Sequence, residues 1–487
     1  MTLRLPRIVT VTMIAASVIA APGPVGAASF TFPGPGCRST LQACIDQAPG
    51  GSTIRIARNT VDEKIKINKS LTLTKAPGFT PTLGGGNHRT LKIFSPTRKP
   101  VHVTLNRLTF ENVDVLADLE KGGGDSVKVL NSVVTGGTTP AGDAGVAIVS
   151  EGKLQAQIKN SRIVGNNVPL FIGTSAPFGF SNFAIENNVI TSKDDALSQA
   201  ALQVSGSGGG VVNATIRNNL IHDVSGCICG NPAAVFLDIR ENIEGNYTVT
   251  NNTIDDTPYA GIWHHVDTSP GKPVARFKLF NNTISDTPQA FFAPPPGPNN
   301  EFLNGYNNFY NTPPPNFGSW QEGPGTISQA PMFADDANAD YRLQATSPLV
   351  DTGNYLVPGG VSPLDILGNA RVNRAQVDIG AYEYDSRPGC TIIGTGGGDE
   401  INGTPGRDII CGDSGSDILR GRAGGDQIIG GAGEDTLWGD GGADVLRGGD
   451  DPDVLRGLDG VKGNDKLFGQ GSTDDCLADA LDKMKSC

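Results

Sequence analysis

"VTNNTIDDTPYAGIWHHVD", residues 249–267, places an Asn pair, an Asp pair and a His pair within one short stretch. Its first part recurs: "RNNLIHD" ends at Asp223 and "FNNTISD" at Asp286. Between residues 100 and 312 the element repeats with its asparagine at Asn106, Asn131, Asn160, Asn187, Asn218, Asn251, Asn281 and Asn307, at steps of 25, 29, 27, 31, 33, 30 and 26 residues. A helical repeat does not drift in this way. A coil of fixed strands and variable turns does, because insertions are tolerated in turns while strand register is kept. Around each Asn the apolar residues alternate, as at Ala214 and Ile216 or Val249 and Ile254, which fits short strands with one buried face.

Composition agrees with many turns joined by short strands. The 487 residues include 65 glycines, the aromatic content is 6% and the charged fraction 18%, so neither an aromatic-rich compact core nor a disordered chain is indicated. The first residues read as an export signal: Arg4 and Arg7, an apolar run from Ile8 to about Ala21, and Val25-Gly26-Ala27 as the small-residue cleavage pattern. That run is too short to span a bilayer comfortably, and no second run of about 20 apolar residues follows. The expectation is a secreted, extracellular protein with the signal peptide, residues 1–27, cleaved near Ala27. Eight cysteines then suggest disulfides. Proximity in sequence pairs Cys37 with Cys44, Cys390 with Cys411 and Cys476 with Cys487, and leaves Cys227 and Cys229 as a local pair or a weak soft-metal site.

After Cys390 the period changes to nine. Aspartates stand at Asp399, Asp408, Asp417, Asp426, Asp435, Asp444 and Asp453, and after a three-residue insertion at Asp465 and Asp474. Glycine precedes each by five residues, often by two as well. One aliphatic residue follows each Asp by two, from Ile401 to Leu467. Residues 390–487 carry 19 acidic against 9 basic residues, while the whole chain is at −12, so the negative charge is concentrated here. The rest is nearly neutral, and nothing points to nucleic acid as a partner.

The Asn-centred pattern resembles right-handed parallel β-helix proteins of the pectate-lyase-like group over residues 38–315. The resemblance implies stacked coils in which asparagines satisfy backbone groups at a turn, coil after coil. "STLQACIDQAPGGSTIRIA" then supplies an N-terminal capping helix, with Ser39 or Thr40 as N-cap and Leu41, Cys44, Ile45 and Ala48 at helical spacing. Residues 328–384, with Tyr341-Arg342-Leu343, Asp351-Thr352-Gly353 and Asp378-Ile379-Gly380-Ala381-Tyr382-Glu383, resemble the end module that follows β-helices in secreted bacterial proteins. The runs at Pro294–Pro296 and Pro313–Pro315 mark a change to looped wrapping before it.

The nonapeptides resemble the hemolysin-type (RTX) calcium-binding repeat, which implies a parallel β-roll with calcium between its turns. Glycine permits positive φ, the carboxylates and nearby carbonyls are hard oxygen ligands, and the aliphatic residue fills a thin core. The implied cofactor is calcium, on Asp399, Asp408, Asp417, Asp426, Asp435, Asp444, Asp453 and Asp465. The regular block Gly394–Arg447 is the firmest place for metal. Asp451, Pro452, Ser472 and the interruption at 457–459 depart from the pattern.

The expected fold class is therefore all-β: a right-handed parallel β-helix with an N-terminal capping helix in 28–327, an end module in 328–385 and a calcium-binding parallel β-roll in 390–487. For chemistry, Asp223, Asp256 and Asp286 share one register on successive coils, where stacked carboxylates would lie within about 5 Å of each other. The bland reading makes them turn residues bonded to their own backbone. Of His264 and His265 one should face outward, beside Trp263. Catalytic candidates are Asp223, Asp256 and His265. Asp194-Asp195 resemble the aspartate pair of β-helix polygalacturonases, but the Gly-His-Gly and Arg-x-Lys elements are missing. The tyrosine-containing Asp-Pro-His motif of alginate epimerases, which also couple a β-helix to such repeats, is missing too. Two functions remain open: a calcium-binding protein that engages cell-surface or extracellular polysaccharide, or a polysaccharide lyase, epimerase or glycoside hydrolase.

Overall fold

The computed structural model describes residues 27–95, 99–120, 124–136, 145–165, 168–175, 179–192, 200–224, 233–240, 242–266, 274–292, 300–313, 321–369, 371, 377–384, 390, 392–394, 397–449, 451–471 and 473–487. The export segment up to residue 26, Asp194, Asp195, Cys227, Cys229, Pro294–Pro296, Pro314, Pro315 and Ser472 lie outside the described residues.

The first unit is a parallel β-helix of three sheets. The first sheet has 11 strands, from Ser29–Phe32 to Asn300–Gly305, each hydrogen-bonded to its counterpart one coil away. Alternation turns one face inward: Ile54, Leu73, Leu105, Val129, Ile158, Ile185, Ile216, Val249 and Leu279 are register partners in sequence and form a fully buried stack. A second sheet of short strands follows the Asn turn, including Val189–Ser192, Leu220–His222, Thr253–Asp255 and Thr283–Ser285. A third sheet includes Ala200–Gly206, Ala233–Ile239, Ala260–Val266 and Gln289–Phe292. In the early coils Thr109–Leu119 serves both sheets, pairing through Thr109–Glu111 with the second and through Val115–Leu119 with the third.

Helix Leu41–Gln47 closes the first coils, with Thr40 as N-cap accepting a hydrogen bond from the Ala43 amide at 3.0 Å and with Leu41, Cys44 and Ile45 buried. The three disulfides Cys37–Cys44, Cys390–Cys411 and Cys476–Cys487 are present.

The Asn turn holds two columns where the sequence suggested one. The outer column takes the left-handed conformation, with φ of 50–58° at Asn131, Asn160, Asn187, Asn218, Asn251 and Asn281. At its ends the positive φ falls on Arg107 and Tyr306, so the Asn106 and Asn307 rungs are displaced by one residue from the inferred register. Asn307 belongs to the inner column with Asn188, Asn219, Asn252 and Asn282, all fully buried. Each inner carboxamide accepts from the backbone N–H of the equivalent residue on the previous coil and donates to a previous-coil carbonyl: the Asn219 amide donates to Asn252 Oδ1 at 3.0 Å, and Asn252 Nδ2 donates to Ile216 O at 2.9 Å. In the earlier coils Ser132 and Ser161 take this place through their hydroxyls.

The segment after residue 327 lies along the side of the β-helix. Leu220 faces outward on the second sheet, and an apolar side chain there needs cover. It packs in one cluster with Phe333, Tyr341, Leu343, Leu349, Ile379, Ala381 and Tyr382. Polar clasps secure the contact: Asn281 and Asn354 exchange two hydrogen bonds, the Ala381 amide donates to Thr253 Oγ1, and buried Arg371 donates to Asn218 Oδ1 at 2.7 Å while pairing with Glu383 at 2.8 Å.

The nonapeptides form two parallel sheets, one of 6 and one of 5 strands, so each full coil takes two repeats. Ile410, Leu419, Ile428, Leu437, Leu446, Leu455 and Leu467 are fully buried between the sheets. The insertion is absorbed by a turn: Val445 still pairs with Lys466 and Val454 with Asp475, each 21 residues on, where the preceding coils pair at 18.

Candidate functional site

On the β-helix the structure keeps Asp223 and Asp256 in one column and separates His265 from them. Asp223, Asp256 and Asp286 occupy equivalent positions after the second-sheet strands. All are exposed and left-handed, with φ of 51°, 48° and 49°. They are turn residues, a position that Asp tolerates through local hydrogen bonding. His265 lies five residues beyond Ala260 on the third sheet, which alone puts it roughly 17 Å along the strand. It pairs instead with Asp238 one coil below: Nδ1 is 2.9 Å from Asp238 Oδ1, and the register partner of His265 is Asp238 itself. Asp238 is buried and also accepts from Arg240 Nε at 3.0 Å. His264 faces inward against Tyr247 and Phe277, and burial pushes its imidazole down to about 3, so it is neutral.

Beside this pair runs an aromatic column that the sequence does not announce. Phe236, Trp263 and Phe292 are register partners on the outer face of the third sheet, with ring centroids 5.1 and 5.8 Å apart. Tyr259 stands 5.8 Å from Trp263. Strand alternation puts the Asp238–His265 column two residues along from the rings, on the same face.

Under the flanking module lies a second polar group. Ser285 donates to Asp255 at 2.5 Å, and burial raises the Asp255 carboxyl to about 6. His222 sits 5.1 Å from the Tyr341 ring, and burial lowers its imidazole. Both residues are enclosed by Tyr341, more than 80 residues away in sequence, which no local pattern could reveal.

In the roll, the aspartates build a ladder. Each Oδ1 accepts the backbone N–H of the aspartate one coil earlier: Asp408 donates to Asp426, Asp417 to Asp435, Asp426 to Asp444 and Asp435 to Asp453, at 2.8–2.9 Å. The second oxygens of Asp417, Asp426, Asp435, Asp444, Asp453 and Asp465 are buried and receive no hydrogen bond. Those from Asp417 to Asp453 each face the glycine five residues before, and Asp465, after the insertion, faces Gly457. A Cβ on Gly412 would sit 2.4 Å from Asp417 Oδ2 and 2.6 Å from Gly430 O, and one on Gly430 would sit 2.3 Å from Asp435 Oδ2 and 2.7 Å from Gly448 O. Only glycine leaves this space, and a carboxylate and a carbonyl both point into it.

Residues 391–419 and 420–455 match the model of the RTX calcium-binding nonapeptide repeat. The repeat array is of the RTX type. No curated protein matches the chain. Among solved structures, the chain is similar to pectate lyase Pel9A at 12% identity and a TM-score of 0.47, covering 74% of this chain and 97% of that one. It is also similar to the PL6 family alginate lyase AlyGC at 13% identity and a TM-score of 0.29, covering 91% and 78%. The activities in those names are theirs.

The RTX array fits a hard dication by its donor chemistry. Among the described residues no three His, Cys, Asp or Glu side chains converge. The array supplies one carboxylate oxygen per repeat with main-chain carbonyls around it, the oxygen set calcium takes. Burial raises Asp435 and Asp444 to about 7 and Asp417, Asp453 and Asp465 to about 6, with neighbouring carboxylates adding to the rise. A cation would reverse that cost by pairing with the ionised form. Asp408 differs from the rest: its Oδ2 accepts from the Thr404 amide and hydroxyl at 2.6 and 2.9 Å. Asp453 and Asp465, beyond the block read as most regular, stay in the amide ladder, since the insertion leaves it intact.

Proposed function

We propose that the chain is a secreted calcium-binding β-helix protein that engages cell-surface or extracellular polysaccharide through the outer face of its third sheet. Calcium is held in the RTX array by Asp417, Asp426, Asp435, Asp444, Asp453 and Asp465, with Asp399 and Asp408 completing the series at its start. Six buried carboxylate oxygens without a hydrogen-bond donor are the observation that carries the metal assignment. Each site filled at 100 times its dissociation constant adds about 2.7 kcal/mol to the folded state only, so a few sites decide whether the roll exists. Calcium at extracellular levels would fill sites left empty in a cytosol, which ties folding of the array to export. No helix among the described residues is long and apolar enough to cross a membrane.

The polysaccharide reading rests on the column Phe236–Trp263–Phe292, whose partly exposed rings form a stacking platform with polar groups at its edge. A glycan screen of the calcium-loaded mature protein against uronate and neutral polymers tests it, read for binding and for unsaturated product. Binding that falls at least tenfold in Trp263→Ala is expected. Binding unchanged by that substitution removes the platform from the account.

The enzymatic alternative is favoured by the buried Asp238 that orients His265 while the imidazole remains 45% exposed, an arrangement suited to acid–base work. Should the screen detect turnover, His265→Ala and Asp238→Asn would abolish it. Asp223→Ala with Asp256→Ala tests the earlier placement, and the left-handed, exposed geometry predicts that this double change leaves turnover intact.

A further inference from the structure

We propose that the cleft between the flanking module and the outer Asn column binds an anionic sugar unit. This site lies on a different face from the third-sheet platform and stands or falls separately from it.

The cleft encloses about 570 Å³. Its floor is two neighbouring columns of the β-helix. One is the chain of outer carboxamides, in which Asn187 Nδ2 donates to Asn160 Oδ1 at 3.1 Å, Asn160 to Asn131 at 3.2 Å and Asn131 to Asn106 at 2.9 Å. The chain stops at Asn187, because the next rung, Asn218, is taken by the module: its Nδ2 donates to Leu364 O and its Oδ1 accepts from Arg371. Asn187 Oδ1 is therefore buried at the closed end of the cleft with no donor. The carboxamides that a ligand hydroxyl can reach are those of Asn131 and Asn160, which line the cleft and are exposed.

The other column runs Val133, Arg162, Val189, Leu220 in strand register. Leu220 is covered by the module and Val189 is partly covered, while Arg162 and Val133 are open. Arg162 forms no ion pair among the described residues. Its exposed guanidinium, at the mouth of a cleft of mostly neutral groups, presents a planar fork that matches a carboxylate or sulfate. Opposite it the module turns out Leu364 and Leu367, 45% and 57% exposed, although the rest of that loop is tied down by Asp365, which accepts from the amides of Leu367, Asn369 and Glu383.

A ligand that complements this set needs one anionic group for Arg162, hydroxyls that both donate and accept for the carboxamides, and an apolar face for the leucines. A sugar unit bearing an acid group meets all three requirements. An extended peptide is a poorer match, since the neighbouring strands of the floor spend their amides and carbonyls on the adjacent coils and offer no free edge.

The test is an NMR titration of the full-length, calcium-loaded chain with methyl β-glucuronide, glucose 6-sulfate, neutral methyl β-glucoside and a triglutamate peptide. The expected result is that either acidic sugar binds at least tenfold more tightly than the glucoside. Arg162→Gln removes that margin, Arg162→Lys retains part of it, and Leu367→Ala weakens all the sugars about threefold. Trp263→Ala, which alters the platform on the other face, should leave the margin of acidic over neutral sugar unchanged. All three positions are at the surface, and an unaltered urea midpoint confirms folding. The proposal is overturned if no acidic sugar binds, if Arg162→Gln changes nothing, if only Trp263→Ala abolishes binding, or if triglutamate outcompetes both sugars with the same dependence on Arg162.

Discussion

The β-helix and the roll use one device with two residue types, and the difference explains why one needs a metal. In both, a side-chain oxygen on one coil accepts the backbone N–H of the equivalent residue on the coil before. Asn252 does this for Asn219, and Asp444 does it for Asp426. The asparagine then has an N–H₂ left, which finds Ile216 O and closes the account. The aspartate has a second oxygen left, which is buried and receives no hydrogen bond. The amide ladder is complete within the chain, whereas the carboxylate ladder is complete only with a cation. Core size adds to the contrast: the β-helix stacks apolar residues on three inner faces, but the roll has a single aliphatic row per sheet.

The largest effect of a point substitution should come from breaking the closed ladder. Asn252→Ala strands the Asn219 amide and the Ile216 carbonyl in the core and should destabilise the β-helix by about 4 kcal/mol, measured by urea unfolding. The response to calcium should not change.

Opening the roll's ladder at its centre comes next. Asp435→Ala should raise the calcium concentration at half-folding of the C-terminal segment by ten- to a hundredfold, equal to about 1.4–2.7 kcal/mol. Asp408→Ala should shift it less, because Thr404 already supplies donors to Asp408 Oδ2. Equal shifts for the two substitutions would contradict the assignment of metal to the donor-free oxygens.

A third effect separates burial of a carboxyl from metal binding. Asp255 is raised by burial from 3.8 to about 6 in the folded protein. Between those pH values the folded state keeps a proton that the unfolded chain has released, so the Asp255 contribution to β-helix stability falls as pH rises from about 4 to 6 and is level above that, while buried His264, held neutral down to about 3, contributes the opposite slope. The Asp255 contribution spans about 3 kcal/mol. Asp255→Asn, which keeps an oxygen for Ser285, removes the falling contribution, so urea midpoints should rise more steeply from about pH 4 to 6 than in the unaltered chain. Smallest of all, Asn160→Ala in the exposed outer column should cost under about 1 kcal/mol.

Much of this architecture is legible in the chain because both units repeat. The Asp period of nine and its aliphatic partner name the buried row from Ile410 to Leu467 directly, and Thr40 announces its helix. Repetition also misleads at the ends: Asn106 and Asn307 look like rungs of one column, yet the positive φ falls on Arg107 and Tyr306, because the turn fixes conformation and not residue type. The Asp238–His265 pair is visible only once the register across a variable turn is known. The module's docking is further still from local pattern, since Arg371 reaches Asn218 across 153 residues. Neither alternation nor period records which outward face another segment will cover.

The most direct test of the central claim is limited proteolysis of the full chain with millimolar calcium and with a chelator, followed by mass mapping of the fragments. The account predicts that chelation exposes residues beyond about 390 to rapid cleavage while the segment up to about Tyr384 stays intact, and that added calcium restores protection. Equal resistance of the C-terminal segment in both conditions, or loss of the β-helix together with it, would contradict the account.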